Sequence, residues 1–202
     1  MTYPNPDVLA ATPFTRTLAD VPAPDGPQTI IIDIDNTIAN YVFATLRAAH
    51  DLRIPTQHID AVHTYALYPV PFYTYDDWYA AHTRALADTH NMVPLDAEAG
   101  RATRRLRDAG HTVVIATSRT PDTERATRAY LTSHEIYFDD LVFTSDKHLL
   151  GADIIFDDNP QTLSLCRGAG MRVIRRPWPY NAEHGDLPGA TRVADIADWL
   201  GC

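Results

Sequence analysis

Four short stretches of this chain carry side chains able to do chemistry. Asp33-Ile34-Asp35-Asn36-Thr37 sets two carboxylates two residues apart, and alternation along an extended segment sends Asp33 and Asp35 to the same side. Two close carboxylates repel unless a cation lies between them or one is protonated, and either outcome serves phosphoryl transfer. Thr117-Ser118-Arg119 offers hydroxyls beside the free backbone N–H groups of a following turn and helix start, a combination suited to gripping phosphate oxygens. Ser145-Asp146-Lys147 supplies a cation, and Asp157-Asp158-Asn159-Pro160 a second acidic pair. Two acidic pairs brought together make the oxygen-rich site that Mg²⁺ prefers. Each stretch alone also has a plainer reading: an Asp-x-Asp turn, a helix N-cap, a solvated lysine, a strand-to-turn signal. Their common placement, each just after a run that reads as a buried strand, favours the chemical reading.

Those strands are apolar runs without alternation, the pattern of strands covered on both faces. They fall at residues 28–32, 112–116, 141–144, 153–156 and 171–175. Helical patterns separate them. Residues 95–109 carry Leu95, Ala99, Ala102, Leu106 and Ala109 at helical spacing before Gly110. Thr120-Pro121 opens a helix to about residue 133, with Pro at the first helical position. Residues 160–167 and 190–200 give two more. Strands alternating with helices imply parallel strands joined by right-handed crossovers, hence a three-layer α/β/α sandwich with a mostly parallel, Rossmann-like sheet. In such a sheet ligands sit outside the carboxyl ends of the strands, which is where all four stretches fall.

The second strand does not arrive until about residue 112, far later than one helix requires. Residues 40–94 are too many for a structureless connection, and 41–50, 56–63 and 75–89 can each form a helix. The expected organisation is a core domain of residues 28–39 and 95–202, with a small helical cap, 40–94, inserted after the first strand. Residues 1–27 hold Pro4, Pro6, Pro13, Pro22, Pro24 and Pro27 and read as an extended or poorly ordered leader. Val8, Leu9, Phe14 and Leu18 are apolar enough for it to pack instead across the sheet edge.

IIIDIDNT, VVIATSR, the lysine of TSDK and IIFDD resemble the four motifs of the haloacid-dehalogenase-like (HAD) superfamily. The resemblance covers residues 28 to about 181. Within the superfamily the chain is most similar to the 5′(3′)-deoxyribonucleotidase group, through the Thr-Ser pair, a lysine ten residues before the acidic pair, and the DD-x-P ending. Pro179-Tyr180-Asn181 resembles bacterial members of that group. The resemblance implies that Asp33 is the nucleophile, forming an aspartyl-phosphate, and that Asp35 is the acid and then the base. It implies a Mg²⁺ ion held by Asp33, the Asp35 carbonyl and Asp158, with Asp157 behind. Thr117 and Lys147 would hold the non-transferring phosphate oxygens, with Thr37 and Ser118 in support. Of the cap aromatics, Phe43, Tyr65 and Tyr75 are the candidates for stacking on a nucleobase. His63, His82 and His90 show no metal-ligand spacing and read as surface or satisfied histidines.

Composition narrows the partners. Hydrophobic residues at 45% and charged residues at 21% exclude a wholly disordered chain. A net charge of −9 opposes a polynucleotide partner and leaves a small phosphorylated substrate, with a nucleotide the first expectation. The N-terminus has no basic flank with an apolar stretch, and no run approaches a membrane span. Two cysteines, Cys166 and Cys202, suggest no disulfide framework, so a cytoplasmic enzyme, monomer or homodimer, is expected. Two alternatives stand beside the nucleotidase: a phosphatase for another small ester such as a sugar phosphate, and a non-catalytic phosphate-sensing or protein-binding module.

Overall fold

Ile30, Ile31 and Ile32 are wholly buried, and the strand they form, β1 (Thr29–Ile32), is the centre of the molecule. A computed structural model describes residues 16–57 and 63–202. β1 pairs in parallel with β2 (Thr112–Thr117) on one side and β4 (Ile154–Asp157) on the other. β3 (Asp140–Phe143) adds outside β2, and β5 (Arg172–Arg175) outside β4. The sheet order is therefore β3-β2-β1-β4-β5, parallel throughout rather than mostly so.

The two faces of the sheet are sorted by alternation. Ile30, Ile32, Ile115, Ile154 and Phe156 belong to the larger core, which takes in Leu106 of α3 (Ala99–Asp108), Leu131 of α4 (Glu124–Ser133) and Ile196 of α6 (Val193–Trp199). Ile31, Ile155 and Val173 point the other way, onto Leu163 and Cys166 of α5 (Pro160–Gly168). Burying one such isoleucine contributes about 1.5–3 kcal/mol, which explains why β-branched runs too short for helices become the central strands. Between β1 and α3 lie α1 (Tyr41–Asp51) and α2 (Tyr75–Ala87), packed on each other. Asn40 caps α1 by accepting from the Phe43 N–H at 3.0 Å, and Thr74 caps α2 through the Asp77 N–H at 3.1 Å.

Several boundaries move for local reasons. The helix expected over 95–109 starts at Ala99, because Asp96 folds back to accept from the Glu98 N–H at 3.0 Å and, across the core, from the Val193 N–H at 2.7 Å. Pro121 begins a 3₁₀ turn, Pro121–Thr123, and α4 proper starts only at Glu124. Of the helix expected over 56–63, residues 58–62 lie outside the described residues, and Thr56 is bridged antiparallel to Phe72. In the leader, Thr17 bridges Gly189 in parallel and Leu18 is buried, as packing across the sheet edge requires; Val8, Leu9 and Phe14 lie outside the described residues. Among the described residues no helix is long and apolar enough to cross a membrane.

Gly100, early in α3, is set against the backbone that leaves α4: a Cβ there would lie 2.5 Å from the His134 carbonyl oxygen and 2.7 Å from that of Glu135. Helix propensity alone favours Gly→Ala by about 1 kcal/mol, whereas overpacking against fixed backbone costs about 1–3 kcal/mol. The steric term wins, so Gly100→Ala should lower the urea midpoint. A variant as stable as the parent would show that α3 can shift freely on the sheet.

Candidate active site

The sheet order reverses at β1 and β4, and the crevice at such a switch point is where an open α/β sheet receives a ligand. Both strands end in aspartate there. The ladder runs one residue past β1, with the Asp33 N–H donating to the Phe156 carbonyl at 3.0 Å. Asp33, Asp157 and Asp158 each present a carboxylate oxygen within 4.8 Å of the others, and all three are buried. Lys147, also buried, donates to Asp33 at 2.5 Å and to Asp157 at 2.6 Å. The other oxygen of Asp157 accepts from the Asn159 N–H at 2.8 Å. Asp158 accepts from the Thr37 hydroxyl at 3.2 Å and from the Tyr180 hydroxyl.

Burial is what most disturbs these groups. It lifts the Asp33 carboxyl to about 7, against the pull of Lys147 and with the help of the charges on Asp157 and Asp35. Asp158 is raised for the same leading reason, with Asp33 and Asp157 adding to it and Tyr180 and Lys147 opposing. With all three carboxylates ionised and one ammonium beside them, two negative charges would remain, which one divalent cation would balance. All three are hard oxygen donors, so the residues present fit Mg²⁺ or a similar ion.

Asp35 has a different partner. Arg119 grips it as a fork, Nε to Oδ2 at 2.7 Å and Nη2 to Oδ1 at 2.6 Å. The guanidinium is itself held by the Thr127 hydroxyl of α4 at 3.0 Å and lies against Thr89 and Met92, in the turn below α2. Beside Asp35 opens a cavity of about 190 Å³, walled by Tyr41 and Tyr65, by Trp78 and His82 of α2, and by Ser118. The Tyr41 hydroxyl and His82 Nδ1 share a 2.7 Å hydrogen bond, and Trp78 stacks on His82 with ring centroids 5.1 Å apart.

Residues 28–200 match the family described as 5′ nucleotidase, deoxy (Pyrimidine), cytosolic type C protein. The chain belongs to this family. It is a phosphoric monoester hydrolase of the HAD type. No curated protein matches the sequence closely enough to count as a relative. Solved structures of the same fold include CbbY from Rhodobacter sphaeroides in complex with xylulose-(1,5)bisphosphate, 16% identical over 84% of this chain and 96% of that one, with a TM-score of 0.53. YfnB from Bacillus subtilis, bound to magnesium, is 12% identical over 88% of this chain and 100% of its own, with a TM-score of 0.55. A dehalogenase is 14% identical over 89% and 99%, with a TM-score of 0.58. At these identities the likeness is one of fold.

For a member of this nucleotidase family, the structure gathers most of the residues singled out by sequence. Asp33, Thr37, Lys147, Asp157 and Asp158 lie together, Lys147 bridging Asp33 and Asp157 and Thr37 donating to Asp158. Thr117 is buried at the end of β2, its hydroxyl accepting from the Arg119 N–H at 3.2 Å. Ser118 is exposed on the cavity wall, and Tyr65 lines the same cavity. Phe43 and Tyr75 are not among the residues lining it. With about 3.6 residues per helical turn, Phe43 is turned away from Tyr41 on α1. Tyr75 sits at the outer end of α2, exposed and packed on Tyr68, Trp78 and Tyr79.

Arg119 and Tyr180 belong to motifs legible in the sequence, and Tyr41 and Trp78 to its run of cap aromatics, but their contacts at this site have no sequence signal of their own. His82 is satisfied, by Tyr41, and it also lines the cavity. Arg119 had a legible signal in the TSR motif, whereas nothing in sequence pairs Tyr41 with His82.

Lys147 makes a pH-dependent prediction. Without it Asp33 and Asp157 repel, and the Asp33 pKa rises further above its unfolded value near 3.8. A raised carboxyl pKa costs stability above the unfolded value; the cost grows from there up to the folded value and is complete above it. Lys147→Met should therefore lose more stability at pH 8 than at pH 5 in metal-free buffer, as read by urea denaturation at both. An equal loss at the two pH values would mean that the lysine acts by packing alone.

Proposed function

We propose that the chain is a Mg²⁺-dependent phosphomonoesterase acting on a nucleoside monophosphate, a deoxyribonucleotide or a modified pyrimidine nucleotide. The observation that carries this reading is the juxtaposition of a buried carboxylate–lysine cluster with a cavity walled by aromatic rings. The phosphate would enter over Asp33 and the base would lie among Tyr41, Tyr65 and Trp78, every base having a π-face to stack. Residues 40–94 then act as a cap that selects the leaving group, while residues 28–39 and 95–202 hold the chemistry.

Asp33 Oδ attacks phosphorus as the P–O bond to the nucleoside breaks, and Asp35 gives a proton to the departing oxygen. Water then attacks the aspartyl-phosphate, Asp35 takes its proton, and inorganic phosphate leaves with Asp33 regenerated. Lys147 and Thr117 hold the non-transferring oxygens where charge gathers. Arg119 fixes the direction in which Asp35 points, since a forked ion pair restricts a carboxylate more than one contact does. Asp33, the Asp35 carbonyl and Asp158 would hold the Mg²⁺ ion, with Asp157 behind them, and the ion supplies the positive charge that keeps a buried nucleophile ionised beside an anionic ester. Both cysteines are free, Cys166 in the core, as a reducing cytoplasm allows.

Phosphate release from a panel of nucleoside 5′- and 3′-monophosphates and sugar phosphates, with Mg²⁺ and with EDTA, tests the reading. Turnover should concentrate on a few nucleotides, stop with EDTA, and fall by at least about 10³-fold in Asp33→Asn. Turnover confined to sugar phosphates would refute the nucleotide assignment and keep the chemistry. Arg119→Lys keeps the charge but loses the fork. It should lower kcat by about tenfold or more, part of the roughly 10²–10⁴ that acid–base catalysis contributes, with KM little changed. An unaltered kcat would remove Arg119 from the mechanism.

A further inference from the structure

The turn Pro179–His184, which follows β5, has no part in the chemistry above, yet it and the Trp178 that precedes it reach both acidic loops. Trp178, wholly buried, donates its indole N–H to the Asn36 carbonyl at 2.7 Å, bracing the loop that carries Asp33 and Asp35. Tyr180 donates its hydroxyl to the carboxylate of Asp158. Asn181, also wholly buried, donates to the Asp158 carbonyl at 2.7 Å and the Arg176 carbonyl at 2.9 Å. It accepts from the Trp178 N–H at 3.0 Å and from Arg175 at 2.9 Å. Consecutive residues thus hold the side chain and the backbone of the same aspartate.

Tyr180 is itself fixed from two sides. Its ring stacks on Trp178, centroids 5.6 Å apart and 10° from parallel, and meets the edge of Tyr65 at 5.6 Å. Tyr65 also lines the cavity beside Asp35. Asp158 has one further side-chain partner among the described residues, the Thr37 hydroxyl at the longer distance of 3.2 Å. Left to itself, a carboxylate buried beside Asp33 and Asp157 would turn away from them, because like charges at that range repel. A hydrogen bond from a residue packed on two sides holds it in place before any cation arrives, and a ligand that is already ordered loses less entropy on binding.

We propose that Tyr180 is a positioning residue for the metal site: its hydroxyl holds the Asp158 carboxylate in the orientation that receives the divalent cation, and the Trp178–Asn181 segment is the brace that keeps Tyr180 there. The proposal rests on the metal assignment made above. It separates two roles that sequence alone merges, a tyrosine that packs and a tyrosine that aims a ligand.

The probe is Mn²⁺ alone, its dissociation constant measured by electron paramagnetic resonance on the full chain without substrate. Tyr180→Phe keeps the ring on Trp178 and Tyr65 and removes only the hydroxyl. Loss of an outer-shell partner costs about 10–100-fold in metal affinity, so the variant should bind Mn²⁺ weaker by that factor, and its kcat should recover at saturating Mn²⁺. As a second readout, the rise in melting temperature on adding a fixed, sub-saturating Mn²⁺ concentration should be smaller in the variant than in the parent. Unchanged affinity, with or without a lower melting temperature, would overturn the proposal and leave Tyr180 as packing. A variant that no longer unfolds cooperatively would do the same. A parent protein that binds no Mn²⁺ would instead sink the metal assignment, and this inference with it.

Discussion

The contact on which the rest depends is Lys147 between Asp33 and Asp157. Each end is a buried ion, and a buried charge is tolerated only when it is paired and hydrogen-bonded. The pairing joins three strand ends: Asp33 follows β1, Asp157 closes β4, and Lys147 follows β3 after a short connection. It cannot form unless β1 and β4 are neighbours in register, and the match of Ile32 with Phe156 provides that register. The hydrophobic sheet is thus the precondition for gathering the charges. The charges add little to stability but specify where the crevice does its work.

A second constraint follows from the excess of negative charge. One lysine cannot neutralise three carboxylates, and the surplus is held apart by hydrogen bonds from Thr37, Asn159 and Tyr180. Asp35 pairs instead with Arg119, so the two aspartates of the first motif have different counter-ions although only one residue separates them. Different partners give the two carboxylates different surroundings, one held by a lysine and one by an arginine fork. Arg119 also lies against Thr89 and Met92, so the orientation of Asp35 is tied to the turn that joins α2 to the core.

The sheet and the four acidic and basic motifs were legible from the sequence. Strands covered on both faces must be continuously apolar, and reactive groups in an open α/β fold lie just beyond them. Asp33, Lys147, Asp157 and Asp158 could be picked out for that reason alone, and their membership of one superfamily followed from the same residues. Helix starts were less legible, since Asp96 and Pro121 each bend the chain before the periodic pattern takes hold. The cavity wall was the hardest to read. Aromatics look alike in sequence whether they face a core or a cleft, so the sequence does not separate Tyr41, Tyr65 and Trp78, which line the cavity, from Phe43 and Tyr75, which do not.

What the sequence determined by itself is therefore whatever depends on neighbours along the chain: strand or helix, the carboxylates that end each strand, and the order of the motifs. What only the tertiary structure decided depends on residues far apart in sequence. Arg119 had to be placed 84 positions from Asp35 and within hydrogen-bonding distance of it. Trp178 had to meet the Asn36 carbonyl across 142 positions. The physical reason is that a hydrogen bond or ion pair has a reach of a few ångströms and no sequence period, so it leaves no pattern until folding has chosen its partner.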